Sequence, residues 1–252
     1  MIEWIAPAEV GTAAALFLIA ISAATSFLTA AAGIGGGVVL IAVMAVLMPV
    51  HALIPVHGLV QIGSNAGRTA IMLRNVQWRV ILLFSLGSLV GAAAGGLTAV
   101  QLPPAALNIG LGCFILWSVW GSAVSPPGRF RVVLSGVFSS FLTMFFGATG
   151  PFVSATIKTM KLGRLEHVAT HAACMVAQHG IKVFAFGLLG FSYGPYAGLI
   201  VAMIASGFLG TLIGKHVLVK MTDENFHRVI AVLLSLLALR LLYEGLALLG
   251  LF

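Results

Sequence analysis

The sequence predicts an all-α, polytopic membrane protein built from two inverted-topology repeats, each a glycine-broken helical hairpin followed by three transmembrane helices. Three observations lead there. The 252 residues are 60% hydrophobic and only 8% charged, against roughly 25% charged in a soluble domain, and the mean hydropathy is +1.13. Apolar stretches close to the roughly 20 residues needed to cross a bilayer core follow one another almost from end to end. The chain also repeats itself. Ser26-Phe27-Leu28-Thr29 recurs as Ser140-Phe141-Leu142-Thr143, and the same shift of 114 residues brings Gly33 onto Gly147, Gly36 onto Gly150, His57 onto His171 and Arg68 onto Lys182.

In chain order, the first series of apolar segments falls near residues 10–32, 38–48, 52–73, 79–100 and 104–122. The second falls near 131–147, 151–160, 165–188, 194–217 and 227–250. Segments 38–48 and 151–160 would make helices of roughly 15 Å at 1.5 Å per residue, too short to cross. Each follows a glycine break, Gly33-Ile34-Gly35-Gly36-Gly37 in one case and Gly147-Ala148-Thr149-Gly150-Pro151 in the other. Repeat 1 is therefore assigned to residues 1–125 and repeat 2 to 126–252, within one integral membrane domain. Further on, Gly91 and Gly95 align with Gly210 and Gly214 and predict two close helix crossings.

Loop charges set the orientation, because Lys and Arg gather on the cytoplasmic side of short loops. Arg74 and Arg79, Arg129 and Arg131, Lys158, Lys161 and Arg164, and Lys215, Lys220 and Arg228 are assigned inside. The uncharged turns at Gln101-Leu102-Pro103-Pro104 and near Gly190 to Pro195 are assigned outside. Each repeat then crosses an odd number of times, which places both termini outside and gives the inverted-repeat plan of secondary transporters. The expected location is a bacterial inner (plasma) membrane. Glu3 and Glu9, with no Lys or Arg before the first apolar run, argue against a cleaved signal peptide.

Composition excludes other classes. The formal net charge of +7 suggests no nucleic-acid partner, because the cations are spread over loops without interleaved aromatics. Cys113 and Cys174 lie inside apolar segments and indicate neither a disulfide framework nor a zinc site. No metal and no cofactor is expected. An enzyme would need a cluster of catalytic groups, whereas the His residues are scattered and intramembrane carboxylates nearly absent.

A helix broken at membrane depth is tolerated only inside protein or beside a water-filled cavity, so two matched breaks point to one central cavity. Half-helices starting at Gly37 and Pro151 would aim their positive N-terminal ends into it, which favours an anion. The backbone candidates are Gly33, Gly35, Gly36, Gly37, Gly147, Thr149 and Gly150. The helix after each hairpin is unusually polar. His57, Gln61, Asn65 and Arg68 share one face of the first, with Ser64, while His171, Gln178, His179 and Lys182 share the matching face of the second. Ionisable groups inside a membrane usually mark a pathway. For Arg68 and Lys182, snorkelling to a head group competes with substrate contact. Ser26, Thr29, Ser140 and Thr143 would satisfy freed carbonyls or touch substrate, Arg240 would pair with Glu244, and Glu166 would cap a helix.

At the Gly33 to Gly37 run, the Pro49 to Asn65 stretch and the Arg74-Asn75-Val76-Gln77-Trp78 joint, the sequence resembles the TauE/SafE family of sulfite exporters and related permeases. The resemblance implies a transporter, in the exporting direction, of sulfite, a sulfonate such as sulfoacetate, or a related oxyanion. The second break departs from the family's fuller glycine run, which implies a specialised second half. The partners implied are that small anion and the lipid bilayer, with a homodimer left open. A passive anion channel would share the same cavity.

Overall fold

A computed structural model of the chain describes residues 2–32, 35–99, 103–121, 130–217 and 224–250. Gly33, the Gln101-Leu102 turn, Arg129, Lys220, the boundary at 125/126 and the side chains of Lys215 and Arg228 lie outside the described residues.

Every regular element among the described residues is helical. A short α1 (Ile2–Ile5) precedes α2 (Thr12–Ala32), α3 (Gly36–Leu47), α4 (Val50–Ile71), α5 (Trp78–Ala99) and α6 (Pro104–Trp120). The second series is α7 (Arg131–Phe146), α8 (Gly150–Lys158), α9 (Arg164–Leu188), α10 (Ala197–Val217) and α11 (Glu224–Ala247). Single 3-10 turns at Leu73–Asn75 and Gly194–Tyr196 lead into α5 and α10. The ten segments read from hydropathy are all present as helices.

Three stretches, Thr12–Ala31, Trp78–Thr98 and Gly194–Gly214, are long and apolar enough to cross a membrane. The helices α4 and α9 have sufficient length, but their buried polar residues interrupt the apolar character that a span facing lipid requires. They lie at the centre instead, packed against each other.

Both breaks end their helices through backbone geometry that favours glycine. Gly35 caps the start of α3 with φ of 103°, and Gly147 caps the end of α7 with φ of 74°. After each break the chain doubles back. The hydroxyl of Thr149 donates to the carbonyl of Ser139, ten residues earlier, at 3.1 Å. At the first break, Gly36 sits so close to α2 that a Cβ there would lie 1.9 Å from the Thr25 carbonyl oxygen. The resulting half-helices are short, about 18 Å for α3 and about 14 Å for α8.

Long helices exchange partners between the two halves of the chain: α2 packs on α10, and α7 packs on α5. The contact is glycine-mediated in both pairs. A Cβ on Gly210 would stand 2.0 Å from the Ala23 carbonyl oxygen, and one on Gly91 2.0 Å from that of Val137. Ala23 and Val137 are themselves 114 residues apart, so one crossing occurs twice. Such close approach of backbones is what small residues provide where apolar burial supplies no driving force. α6 pairs with α11 on the flank, and the large apolar core is assembled around α3.

Candidate functional site

Between the starts of α3 and α8 lies a cavity of about 30 Å³, walled on its other sides by the polar faces of α4 and α9. Gly35 and Gly37 reach it from the first break and Gly150 from the second. His57, Gln61 and Asn65 face it from α4, and His171 and His179 from α9. Thr29, Val38, Ala148, Pro151 and Met175 complete the wall. The first turn of a helix leaves its N–H groups without intrahelical acceptors, and two such turns meet here. Pro151 has no N–H to leave unsatisfied.

The remaining candidates stand behind the wall. Gly36 is a packing residue against α2, where a Cβ would also meet the Thr29 hydroxyl at 2.1 Å. Gly147 and Thr149 shape the second break: the Gly147 carbonyl accepts from the Thr143 hydroxyl at 3.0 Å, and the Thr149 hydroxyl shares its one proton between the Ser139 carbonyl and the Gln178 amide oxygen, 3.3 Å away. Gln178 in turn donates to the hydroxyls of Ser139 (3.0 Å) and Ser140 (3.2 Å). This amide ties α9 to the α7–α8 hairpin and does not line the cavity. Ser26 bonds Ser64 across α2 and α4 at 2.9 Å.

On α4 the polar face forms a ladder. Arg68 Nη1 donates to Asn65 Oδ1 at 3.1 Å and Nη2 to Ser64 Oγ at 3.4 Å. Asn65 Nδ2 donates to the carbonyl of Gln61 at 2.8 Å and to its Oε1 at 3.1 Å. Gln61 Nε2 then lies 3.3 Å from His57 Nε2, which also lies 3.1 Å from the Gly37 carbonyl oxygen. On the α9 side, His171 Nε2 meets the Gly150 carbonyl at 3.1 Å, the matching contact at the other half-helix. His57 and His179 stand edge to face with ring centroids 5.9 Å apart. The Nδ1 atoms of His57, His171 and His179 are buried and have no hydrogen-bond partner among the described residues, that of His57 lying on the side of Gly147.

Neither Arg68 nor Lys182 snorkels. Arg68 is 1% exposed and Lys182 fully buried. Lys182 Nζ donates to the Gly147 carbonyl at 3.0 Å, with its stem in a notch at Gly58. The sequence holds Asp and Glu only at positions 3, 9, 166, 223, 224 and 244. Of the carboxylates described, Glu9 meets His51 and Tyr196, Glu166 meets Gln77 and the Gly163 amide, and Glu244 meets Arg240. Among the described residues no carboxylate is paired with Arg68 or Lys182. The helix-capping and Arg240–Glu244 expectations thus hold.

The protein-family model described as Sulfite exporter TauE/SafE matches residues 18–241. The chain belongs to this family. The match runs from α2 into α11 and contains both glycine breaks and both polar helices. It makes the chain a membrane transport protein of the sulfite and sulfonate exporter type, in a family of transporters rather than enzymes. No curated protein and no solved structure matches the chain.

Sequence reasoning had no signal for the partition between residues that line the cavity and residues that hold the lining in place. Gln178 shares a helical face with His171 and His179, and only the fold of the α7–α8 hairpin captures its amide. Met175 and Ala148 line the cavity as apolar residues, which nothing in a hydropathy pattern distinguishes from core.

Proposed function

We propose that the chain is an exporter of a small oxyanion, with sulfite favoured over bulkier sulfonates, and that it works by alternating access around the cavity between α3 and α8. The observation that carries this reading is the burial of Arg68 and Lys182 beside that cavity without a carboxylate partner among the described residues. A buried cation is costly unless paired. Two of them, together with the N-terminal ends of two half-helices, favour an anion strongly and a cation not at all.

About 30 Å³ holds one or two waters, so a compact oxyanion requires a small widening of the cavity and a carbon chain a larger one. The substrate contacts in this reading are the amides of Gly35, Gly37 and Gly150, with His57, Gln61, Asn65 and His179, while His171 braces the second half-helix through the Gly150 carbonyl. Arg68 and Lys182 supply charge from behind, and Thr149 and Gln178 hold the second break.

The exchanged pairing of α2 with α10 and α7 with α5 supports two inverted repeats that rock against each other. In a bacterial inner membrane the loop charges then put both termini outside. The test is sulfite flux in proteoliposomes. A carrier gives flux that saturates and is accelerated by sulfite on the opposite side. Flux that does neither makes the protein a channel, and the absence of any oxyanion flux contradicts the proposal outright.

A further inference from the structure

A second, larger cavity of about 470 Å³ lies next to the first, opening between the start of α4, the end of α9 and the start of α6. It adjoins a third space of about 520 Å³ through His51, Gly190 and Phe191, so the two form one vestibule on the side of the Gly190 to Pro195 loop. The vestibule and the small central cavity share no lining residue.

What separates them can be read along α9 and the α7–α8 hairpin, with α4 packed against both. On α4, Ile54 and Pro55 line the vestibule, His57 lines the central cavity, and Gly58 next to it is the notch that receives the Lys182 stem, where a Cβ would stand 2.6 Å from Lys182 Cε. On α9, Phe186 lines the vestibule and His179 the central cavity, and Lys182 lies between them. On the α7–α8 hairpin, Met144 lines the vestibule and Ala148 the central cavity, and between them Gly147 accepts the Lys182 ammonium. Two segments, α9 and the α7–α8 hairpin, therefore place the same side chain at the partition, and α4 supplies the notch that holds it.

We propose that Lys182 is the gate between the central cavity and the vestibule, and that its charge makes the gate selective for anions. The proposal rests on the oxyanion reading for what passes and on geometry alone for where the partition stands. Closed, the side chain spans from the Gly58 notch to the Gly147 carbonyl. That bond is to a neutral acceptor, so an oxyanion arriving from the central cavity offers the amine a stronger, charge-assisted partner. The ion thereby releases the latch and is accompanied through the opening, while a cation is repelled by the ammonium at the partition.

The gate is tested by cysteine accessibility, starting from a chain in which Cys113 and Cys174 are replaced by alanine. Ala148→Cys reports on the central cavity. A membrane-impermeant maleimide is applied to intact cells and to inverted membranes, so both faces are sampled without assuming a topology. With Lys182 present, Ala148→Cys is shielded from the vestibule face. Lys182→Ala raises its labelling from that face at least tenfold, whereas Lys182→Met, which refills the space, leaves it shielded. Labelling from both faces that is unchanged by Lys182→Ala overturns the gate.

Lys182→Cys gives a second arm that does not need the alanine variant to fold. It labels from the same face as Ile54→Cys if Lys182 stands at the partition, and absence of labelling from that face overturns the proposal. No sulfite is needed in these measurements, so failure of the gate and failure of the oxyanion reading are distinguishable.

Discussion

His57 Nε2 stands 3.3 Å from Gln61 Nε2 and 3.1 Å from the carbonyl oxygen of Gly37, a donor on one side and an acceptor on the other. A single ring nitrogen serves only one of them. Arg68 can only donate, so Asn65 turns its oxygen to Arg68 and its amino group to Gln61, which turns the Gln61 amino group to His57. The ladder on α4 therefore favours Nε2 as acceptor and puts the proton on Nδ1, an atom without a hydrogen-bond partner among the described residues. The Gly37 carbonyl favours the opposite tautomer. His171 faces no such conflict, because its Nε2 meets the Gly150 carbonyl as its one partner.

An anion in the cavity tips this balance, since it accepts from Nδ1–H and has no use for a bare nitrogen. Nitrogen-15 spectra of histidine-labelled protein should show the His57 Nδ1–H tautomer growing on addition of sulfite. The same titration in Gln61→Leu should lack that shift, because the donor that holds Nε2 as acceptor is gone. A His57 tautomer indifferent to sulfite in both proteins would contradict the assignment.

The two breaks differ in what their glycines do, and this separates folding from binding. Gly36→Ala sets a methyl 1.9 Å from a backbone carbonyl of α2, which cannot move aside, and little folded protein should be recovered. Gly150→Ala meets nothing nearer than His171 Nε2 at 3.4 Å. It should fold and lose sulfite affinity at least severalfold as the small cavity narrows. Yield of monodisperse protein and sulfite-induced thermal stabilisation read the two effects.

Gly58→Ala places a methyl 2.6 Å from Lys182 Cε, the movable end of a side chain. The crowding is expected to cost about 1–3 kcal/mol of stability, less up to about 1 kcal/mol returned by the helix preference for alanine. Adding Lys182→Ala removes the crowding, so the pair should be non-additive in denaturation midpoints. Strict additivity would mean that Lys182 does not occupy the notch.

Replacing an unpaired buried cation should not destabilise the empty protein. Arg68→Met leaves the thermal midpoint unchanged or raised without ligand, because an uncompensated charge has been removed. The orphaned Asn65 oxygen works against that gain by about 1–3 kcal/mol at most. Sulfite stabilisation, by contrast, should shrink. On the surface, the half-exposed Arg240–Glu244 pair is a control: Glu244→Gln should change stability by less than about 1 kcal/mol.

The fold was legible in the sequence wherever it depended on local chemistry. Hydropathy sets the helices, and the glycines at 35 and 147 mark the breaks because their backbone geometry favours that residue. The duplicated Gly91 and Gly210 announced the two close crossings. What escaped were contacts between distant parts of the chain. Nothing in the sequence sets Gly58 apart from other helical glycines, and only the packing of α9 brings Lys182 into its notch; snorkelling was a fair expectation for a cation late in its helix. The vestibule contains Glu9, His51 and Tyr196, which come together from three segments, with the Tyr196 hydroxyl donating to Glu9 Oε2 at 2.5 Å. No periodicity along one segment foretells such a meeting.

The central claim is that a small oxyanion is bound between the two half-helices and balanced by Arg68 and Lys182. Thermal unfolding of the purified protein across sulfite, sulfate, thiosulfate, sulfoacetate and taurine tests it most directly, because a ligand specific to the folded state stabilises it by RT ln(1 + [L]/Kd), about 2.7 kcal/mol at a hundredfold excess over Kd. The account predicts the largest rise for sulfite, a smaller one for sulfoacetate, and none in the Arg68→Met, Lys182→Met double variant. No rise with any oxyanion, or an equal rise in that double variant, would contradict it.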